Sequence, residues 1–408
     1  MTEVRPGLRS LDAALAELLG FATLLPEIET VPTFEADGRV LAQDLVSGLH
    51  VPPHDNSSMD GYALRCADLA QAAGLLPVSQ RIAAGSSAEP LAPGSAARIF
   101  TGAPIPTGAD AVVMQEDCEL QNGFVRVGTQ PLPGQWIRRA GEDVALGATV
   151  LASGQRLTPA SLGLAASIGM AALAVRRRPR VALFSTGDEL VMPGEVVPAD
   201  MKPGAIYNSN RFFLRALLLR LGCEVSDLGV VPDRLDATRD ALRAAAQGHD
   251  LVLTSGGVST GEEDHIKPAV QALGTLDLWQ IAIKPGKPFA YGRVQDSHFI
   301  GLPGNPVSSY VTFLLLVRPF LLKLQGVTDL APKSIPAQAH FSWPRADRRR
   351  EFLRVRRNAA GGLDLFANQS SGVLTSAVWA DGLVDNPPGQ VIAPGDGVRF
   401  IPFSEVSG

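Results

Sequence analysis

The sequence predicts a multi-domain protein of the α/β plus β class, with a central, doubly wound and mostly parallel α/β domain, an inserted small β domain and a C-terminal β domain. Two observations predict this class. Between Arg180 and Gln325, apolar strands alternate with helices of about ten residues, the pattern of a parallel sheet covered on both faces. On both sides of this stretch, short β-like runs alternate with glycine and proline turns.

The strands expected in the α/β domain are short apolar runs. They cover Val181–Ser185, Val225–Val231, Asp250–Thr254, Leu278–Ile283 and His298–Gly301. The expected helices cover Asn210–Leu221, Ala237–Gln247, His265–Leu273 and Pro306–Leu324. Because the strands are expected to be mostly parallel, their carboxyl ends share one rim, and open α/β sheets bind their ligands at that rim.

The two β units are expected on either side of the α/β domain. The inserted unit runs from about Ser47 to Gly147, with strands at Ala97–Phe100, Ala111–Met114 and Phe124–Val127. The C-terminal unit follows Pro332, with strands at Ala337–Phe341, Phe352–Arg356, Leu363–Phe366 and Val398–Pro402. Two helices flank the inserted unit. The first has Ser10 as N-cap, covers Leu11–Leu19 and ends at Gly20, and the second begins near Pro159.

The composition argues against several function classes. The net charge of −5 opposes bulk binding of nucleic acid or of an anionic membrane surface. The longest apolar run, Tyr310–Leu324, is interrupted by an arginine and a proline and is too short to span a bilayer. The N-terminal segment lacks the pattern of a signal peptide. Cys66, Cys118 and Cys223 have no CxxC spacing, so we expect buried thiols in a reducing cytoplasm.

Two strand ends of the α/β domain carry polar, glycine-rich sequences. Phe184–Leu190 reads FSTGDEL, and Leu253–Asp264 reads LTSGGVSTGEED. Small residues and hydroxyls let backbone amides approach a phosphate, and the carboxylates suit a hard cation. The alternative is a pair of flexible turns with an acidic helix start, since acidic residues are favoured there.

The second of these loops matches two catalytic spacings. Gly256–Gly261 has P-loop spacing, but two glutamates follow where Lys and Ser or Thr must bind phosphate and magnesium. Gly257–Gly261 matches the GxSxG elbow, yet Ser259 lies about five residues past the expected strand end instead of at the corner. A serine hydrolase that uses Ser259 is the alternative that this spacing leaves open.

The lysines are concentrated. Only six residues are lysine against thirty arginines, and three of the six fall between positions 267 and 287. Two of them stand in the rigid sequence KPGKP at 284–288, which we expect to leave the strand Leu278–Ile283 on the same rim as the two loops. Two ammonium groups on a stiff backbone suit an oxyanion such as phosphate or molybdate. Two solvated lysines in a tight turn are the alternative.

Eight motifs occur in order over nearly the whole chain, from about Leu8 to Phe400. They read MDGYA, FTGAPIP, RRAGED, STGDEL, TSGGVSTGEED, KPGKPFAYG, GLPGNPVSS and RREFLRVR. In this combination the sequence closely resembles the molybdopterin molybdenumtransferases, the molybdenum insertases of molybdenum-cofactor synthesis, to which the gephyrin E-domain belongs. The resemblance also implies that the α/β domain is similar to molybdopterin adenylyltransferases.

The resemblance implies a cytoplasmic enzyme that inserts molybdate into adenylated molybdopterin and releases AMP with the help of Mg²⁺. It implies a homodimer whose active cleft combines the α/β domain of one subunit with the inserted β domain of the other. Molybdopterin adenylyltransferase and apo-molybdoenzymes are the implied protein partners, with no role for nucleic acid or a membrane. The alternative from another class is a non-catalytic molybdopterin-binding scaffold of the same fold.

The resemblance further divides the chain into domains and assigns site residues. The domains are an α/β molybdopterin-binding domain (1–27 and 177–326), a linker and dimer domain (28–46 and 147–176), an inserted β-rich domain (47–146) and a C-terminal β domain (327–408). The implied catalytic residues are Asp60, Thr101, Asp143, Glu189, Asp233, Asp264, Lys284 and Lys287, with Asp264 and Glu189 as the magnesium ligands. The implied residues of the pterin nucleotide and molybdate pockets are Ser255, Gly256, Gly257, Ser259, Ser308, Arg349 and Ser370, with Arg348 and Arg350 as alternatives to Arg349.

Overall fold

The computed structural model describes residues 8–257 and 265–407. The α-helices in these ranges are α1 (Leu11–Phe21), α2 (Cys66–Gln71), α3 (Pro159–Ser167), α4 (Asn210–Arg220), α5 (Leu235–Ala246), α6 (Ile266–Leu273), α7 (Pro306–Thr312), α8 (Arg318–Leu324) and α9 (Thr375–Trp379). The strands are β1 (Ile28–Pro32), β2 (Leu45–Val46), β3 (Asn56–Ser57), β4 (Gly61–Leu64), β5 (Leu75–Ile82), β6 (Ala96–Ile99), β7 (Ala111–Met114), β8 (Cys118–Gln121), β9 (Phe124–Val127), β10 (Ile137–Arg138), β11 (Thr149–Leu151), β12 (Ala172–Arg176), β13 (Arg180–Thr186), β14 (Leu190–Val191), β15 (Ile206–Tyr207), β16 (Glu224–Val231), β17 (Leu251–Ser255), β18 (Gly274–Gln280), β19 (Ile283–Lys284), β20 (Pro288–Val294), β21 (Ser297–Leu302), β22 (Ile335–Gln338), β23 (Arg350–Arg357), β24 (Leu363–Leu365), β25 (Gly382–Asn386) and β26 (Gly397–Pro402).

A six-stranded sheet in the order β16-β13-β17-β21-β20-β18 forms the centre of the α/β domain. The first four strands are parallel, β20 runs antiparallel to β21, and β18 runs antiparallel to β20. Successive residues of β13 face opposite sides, since Leu183 packs with α1, α4 and α8 whereas Phe184 packs with α5 and α6. Helices therefore cover both faces, and the predicted doubly wound, mostly parallel sheet is confirmed.

One edge of this sheet differs from the expectation. The strand predicted over Leu278–Ile283 is in fact β18, which ends at Gln280, and Ile283 begins β19, which pairs in parallel with β23 of the C-terminal sheet. The amide of Ile281 donates to the carbonyl oxygen of Lys287 at 2.8 Å and closes the intervening residues into a loop. The apolar run continues through this change of sheet because its residues are buried on both sides of it, so apolarity alone does not locate the strand end.

The first helix confirms its predicted cap and extends beyond its predicted end. The Ser10 hydroxyl accepts a hydrogen bond from the amide of Ala13 at 3.2 Å. Gly20 does not end the helix, which continues to Phe21. The ring of Phe21 stacks on Tyr291 with the centroids 4.6 Å apart, and this packing offsets the modest cost of a glycine inside the helix.

The helix predicted over Pro306–Leu324 is present but wider in its middle. It consists of α7, a π-helical turn over Phe313–Val317 and α8. Pro319 has no N–H to donate to the preceding turn, and its ring crowds that turn, which accounts for the local widening. In the described part of the chain, this is the one helix long and apolar enough to cross a membrane by length and composition, yet 83% of its apolar window is buried inside the protein.

The remaining residues form β units and their connections. The sheet β7-β4-β6-β5-β9-β8 builds the inserted unit, to which α2 adds a short helix. The pairs β1-β12 and β2-β11 pack with α3 between this unit and the α/β domain. The C-terminal sheet has the order β19-β23-β25-β26-β22, so its first strand is supplied by the α/β domain. The two expected β units are present, and the sequence patterns missed β25 here and β20 in the central sheet.

Candidate active site

A cleft of about 830 Å³ opens at the carboxyl ends of β13, β17 and β21. The loops after these strands line it together with the start of α4 and the first turn of α7. The lining residues are Thr186, Gly187, Glu189, Leu190, Ile206, Tyr207, Asn208, Ser209, Asn210, Asp233, Ser255, Gly256, Gly257, Pro288, Pro303, Gly304, Asn305, Pro306, Ser308 and Gly372. Open parallel sheets bind ligands in this position, so the cleft is the candidate active site.

The loop after β17 presents backbone to the cleft because two of its positions require glycine. Gly256 has φ +95°, and its amide donates to the carbonyl oxygen of Leu302 at 3.0 Å. Gly257 has φ +68°, and a Cβ added there would lie 2.5 Å from Cγ1 of Ile266 and 3.1 Å from Oγ1 of Thr186. A side chain at Gly257 is excluded by conformation and by space, so a ligand can approach the main chain closely.

Two carboxylates, Glu189 and Asp233, line the cleft. Glu189 follows β13 and folds back over Gly187, where an added Cβ would lie 2.4 Å from Oε2 of Glu189. Asp233 follows β16, and its amide donates to Oδ1 of Asp188 at 3.1 Å. Mg²⁺ is commonly held by one or two carboxylates together with substrate phosphates, and both side chains supply oxygen ligands of this kind. Across residues 8–257 and 265–407, no three His, Cys, Asp or Glu side chains converge as a complete metal site.

The cleft also borders the start of α7 and a segment of the C-terminal domain. Ser308, in the first turn of α7, is 5% exposed and lines the cleft. The side-chain amide of Asn210 donates to the carbonyl oxygen of Gly304 at 2.7 Å and fixes the loop before α7. The amide of Val307 donates to the carbonyl oxygen of Ser371 at 2.9 Å, which ties the segment around Gly372 to the cleft.

A charged cluster joins the KPGKP loop to the C-terminal domain. Nζ of Lys284 lies 3.0 Å from Oε1 of the buried Glu351 and 3.5 Å from Oδ2 of Asp347. Arg349 donates from Nε and Nη2 to the two Asp347 carboxylate oxygens at 3.0 and 2.8 Å. These hydrogen bonds hold the pKa of Asp347 well below its usual range and raise the pKa of Arg349. We call Lys284, Asp347, Arg349 and Glu351 the charged cluster.

The arginines next to Arg349 have different surroundings. Arg350 donates to both carboxylate oxygens of the buried Asp385 at 2.6 and 2.7 Å and to Asp12 of α1 at 2.9 Å. Its guanidinium is committed to joining the C-terminal sheet to α1. Arg348 is exposed. Among the three arginines, Arg349 is therefore the one whose charge lies beside Lys284.

The inserted β unit contains the remaining acidic candidates. The amide and the hydroxyl of Thr101 both donate to Oδ1 of Asp60 at 2.7 Å, and these bonds lower the pKa of Asp60. Asp143 is exposed, and its amide donates to the carbonyl oxygen of Val51 at 3.0 Å. Within the described residues of one chain, the cleft is lined by nothing from this unit.

Comparison with known sequences identifies the family. Three family sequence profiles match the chain in order: the MoeA N-terminal region (domain I and II) at residues 9–169, a probable molybdopterin binding domain at 182–323 and the MoeA C-terminal region (domain IV) at 336–403. The molybdopterin molybdenumtransferase of Haemophilus influenzae is 46% identical over 78% of both chains. Molybdopterin molybdenumtransferase 2 of Mycobacterium tuberculosis is 39% identical over 88% of this chain and 90% of its own.

The chain belongs to the molybdopterin molybdenumtransferase family. It is accordingly a transferase of molybdenum-cofactor biosynthesis. Two crystal structures of the molybdopterin biosynthesis MoeA protein of Pyrococcus horikoshii share the fold over the whole length. They superpose with TM-scores of 0.78 and 0.84 at 32% and 29% identity, and cover 97% of this chain and 99% and 100% of their own.

The structure brings together only part of the residue set that the family resemblance implies. Glu189, Asp233, Ser255, Gly256, Gly257 and Ser308 line the cleft. Lys284 and Arg349 lie in the charged cluster, and Pro288 of the same KPGKP loop reaches the cleft. Lys287 is exposed, and Ser370 is exposed two residues before Gly372. Ser259 and Asp264 lie outside the described residues.

Several cleft residues escaped the sequence reasoning. Asn208, Ser209 and Asn210 line the cleft at the start of α4. The signal was present, because Asn and Ser directly before a helix mark its N-terminus, and helix N-termini attract anions. Asp347 was missed as well. Its charge is visible in the sequence, but its position between Lys284 and Arg349 depends on the pairing of β19 with β23.

Proposed function

We propose that the cleft binds adenylated molybdopterin and catalyses insertion of molybdenum from molybdate, with release of AMP. Family membership supports this reaction. The observation that carries it is the meeting of a glycine-rich loop, two carboxylates and the start of α7 in one cleft. Phosphate oxygens are bound by backbone amides and by helix N-termini, and this cleft at the carboxyl ends of parallel strands offers both.

The chain's own residues have distinct tasks in this proposal. Gly256 and Gly257 let the main chain approach the nucleotide phosphates, and Ser308 offers a hydroxyl at the start of α7. Glu189 and Asp233, joined by Asp264 from outside the described residues, would hold Mg²⁺. When bound, Mg²⁺ neutralises charge on the phosphate oxygens and so eases cleavage of the linkage to AMP.

We assign the molybdate oxyanion to the two cations of the charged cluster. Lys284 and Arg349 present an ammonium and a guanidinium beside the loop that continues to Pro288 in the cleft. A tetrahedral dianion suits such a pair, because both groups donate charge-assisted hydrogen bonds. The family resemblance adds Ser370 and Lys287 to the residues proposed to bind molybdate. Both side chains are exposed.

We further propose that the working enzyme is a cytoplasmic homodimer in which each cleft is completed by the inserted β unit of the partner. Asp60, Thr101 and Asp143 resemble active-site residues of the family, yet none of them lines the cleft of its own chain. A second copy of the chain resolves this separation. Molybdopterin adenylyltransferase would supply the substrate, and apo-molybdoenzymes would receive the product.

Release of AMP tests the proposed reaction. Purified protein is incubated with adenylated molybdopterin and Mg²⁺, with molybdate, with tungstate or without oxyanion, and the liberated AMP is quantified. We expect AMP release that requires molybdate and Mg²⁺, accompanied by activation of an apo-molybdoenzyme. A protein that binds the substrate but gives neither result would be the scaffold, and the proposed reaction would be wrong.

A further inference from the structure

The charged cluster already contains an anion in contact with both of its cations. Oδ2 of Asp347 lies 2.8 Å from Nη2 of Arg349 and 3.5 Å from Nζ of Lys284. Its other oxygen accepts from the amide and Nε of Arg349 at 3.0 Å each. The carboxylate thus uses the same kinds of donor that would recognise a free tetrahedral oxyanion.

The two carboxylates of the cluster are held very differently. Glu351 is 1% exposed and accepts hydrogen bonds from Lys284 at 3.0 Å, from Nε1 of Trp343 at 2.7 Å and from Nδ2 of Asn386 at 3.3 Å. It is anchored by three separate elements. All the hydrogen-bond and ion-pair partners of the Asp347 carboxylate in the described structure belong to Arg349 and Lys284. Glu351 therefore fixes Lys284 in place, whereas the Asp347 carboxylate is held by the same two cations that would bind an oxyanion.

Solvent reaches the pair of cations and Asp347. The side chains of Lys284, Arg349 and Asp347 are 39%, 28% and 19% exposed. Asp347 lies in the irregular segment between Trp343 and β23. Its backbone is held by a hydrogen bond from the amide of Gly389 to the Asp347 carbonyl oxygen at 2.8 Å. Rotation of the carboxylate does not require this backbone bond to break.

The charge balance favours exchange of Asp347 for a dianion. With Asp347 in place, the two cations are matched by two carboxylates. When Asp347 turns away, one positive charge remains uncompensated between Lys284 and Arg349, and a dianion gains more from it than a tethered monoanion does.

We propose that Asp347 is an internal competitor that occupies the oxyanion position between Lys284 and Arg349 and thereby sets the affinity for the tetrahedral oxyanion. This inference rests on the proposed function, which makes molybdate the ligand of these two cations. It adds a residue that none of the matched motifs includes. The Asp347 carboxylate occupies this position in the absence of molybdate and so lowers the affinity for molybdate. It is displaced when molybdate binds.

The variant Asp347→Asn tests the proposal, because asparagine keeps one acceptor oxygen for the Arg349 amide while it removes the negative charge and the second acceptor oxygen. We expect the Kd for molybdate, measured by calorimetry, and the molybdate KM in AMP release to fall by about two- to fivefold, since partly exposed ion pairs contribute up to about 1 kcal/mol. Asp347→Ala also removes the side-chain acceptor of the Arg349 amide, and it should lower the Kd for molybdate as well.

The matched control is Asp396→Asn, which removes an acidic group of the same domain that caps the Ala393 amide. Its molybdate affinity stays at the wild-type value, and melting temperatures verify that all variants fold. If the wild-type protein is active and the affinity for molybdate is unchanged or weaker in Asp347→Asn and Asp347→Ala, the proposal that Asp347 competes with molybdate is wrong. Asp347 then serves to position Arg349. Wild-type protein that neither binds molybdate nor releases AMP would overturn the proposed function and this inference together.

Discussion

Gly257 illustrates how one residue shapes the cleft. Its φ of +68° lies in the left-handed region, and the nearest neighbours of an added Cβ are Ile266 at 2.5 Å and Thr186 at 3.1 Å. The sequence analysis identified this glycine from its loop, but could not show that α6 packs directly on it. The physical reason for the residue is thus a tertiary contact, which no local pattern contains.

Gly257→Ala should impair the reaction more than it impairs folding. The added methyl group displaces Ile266 or moves the loop away from the phosphate position, so we expect AMP release at saturating molybdate to fall by at least about tenfold. The free energy of unfolding should fall by about 1–3 kcal/mol. Gly389→Ala is the control, because φ is +78° there and nothing lies within 4 Å of the added Cβ. Equal activity in the two variants would contradict the role of the Gly257 loop.

His298 makes stability depend on pH. It is 5% exposed at the start of β21, where burial, and secondarily the positive charge of Arg293, lower its pKa from 6.5 to about 4. The unfolded chain binds a proton below pH 6.5 that the folded chain accepts only near pH 4. The stabilising contribution is therefore complete above pH 6.5 and is lost as the pH falls through this window, by about 3 kcal/mol in total.

The measurement compares unfolding free energies between pH 7 and pH 4. His298→Gln should show a shallower decline than the wild type over this window, because its amide does not titrate there. His340→Gln removes an exposed histidine and should keep the wild-type decline. Identical pH profiles for His298→Gln and the wild type would show that another group causes the loss.

At the scale of elements, the C-terminal sheet includes a strand that comes from the α/β domain. β19 supplies its edge strand, and the register pairs Lys284 with Glu351. Local patterns predicted most helices and parallel strands, because amphipathic period and turn residues determine these. They did not predict β19, since a two-residue strand carries no period and is formed by pairing with a distant segment.

Arg350→Met should loosen this junction. Arg350 bridges Asp12 of α1 and the buried Asp385. Among the described residues, its loss leaves the Asp385 carboxylate with Arg399, 3.4 Å away, as its one ion-pair partner. We expect the free energy of unfolding to fall by about 3 kcal/mol, as for other broken buried ion pairs. Arg348→Met, at an exposed neighbouring position, should change it by less than about 0.5 kcal/mol. Similar denaturant midpoints for the two variants would refute the structural role of Arg350.

At the scale of the whole molecule, the candidate site is divided between distant parts of the chain. The cleft lies in the α/β domain, the proposed oxyanion ligand Arg349 lies in the C-terminal domain, and the proposed site residues Asp60 and Thr101 lie in the inserted unit. Motif order alone was sufficient to predict the family, which the comparisons confirm. Which side chains meet could not be predicted, because Asp347 and Asn208 come near the site only through tertiary pairing.

Subunit complementation tests the central claim, that each cleft works with the inserted unit of a partner. Asp60→Asn and Glu189→Gln chains carrying different tags are combined, the heterodimer is purified, and molybdate-dependent AMP release is measured. Each variant alone should be nearly inactive. The heterodimer contains one cleft built from two intact surfaces, so the account predicts about half of the wild-type rate. A heterodimer as inactive as its parents, or chains that remain monomeric, would contradict it.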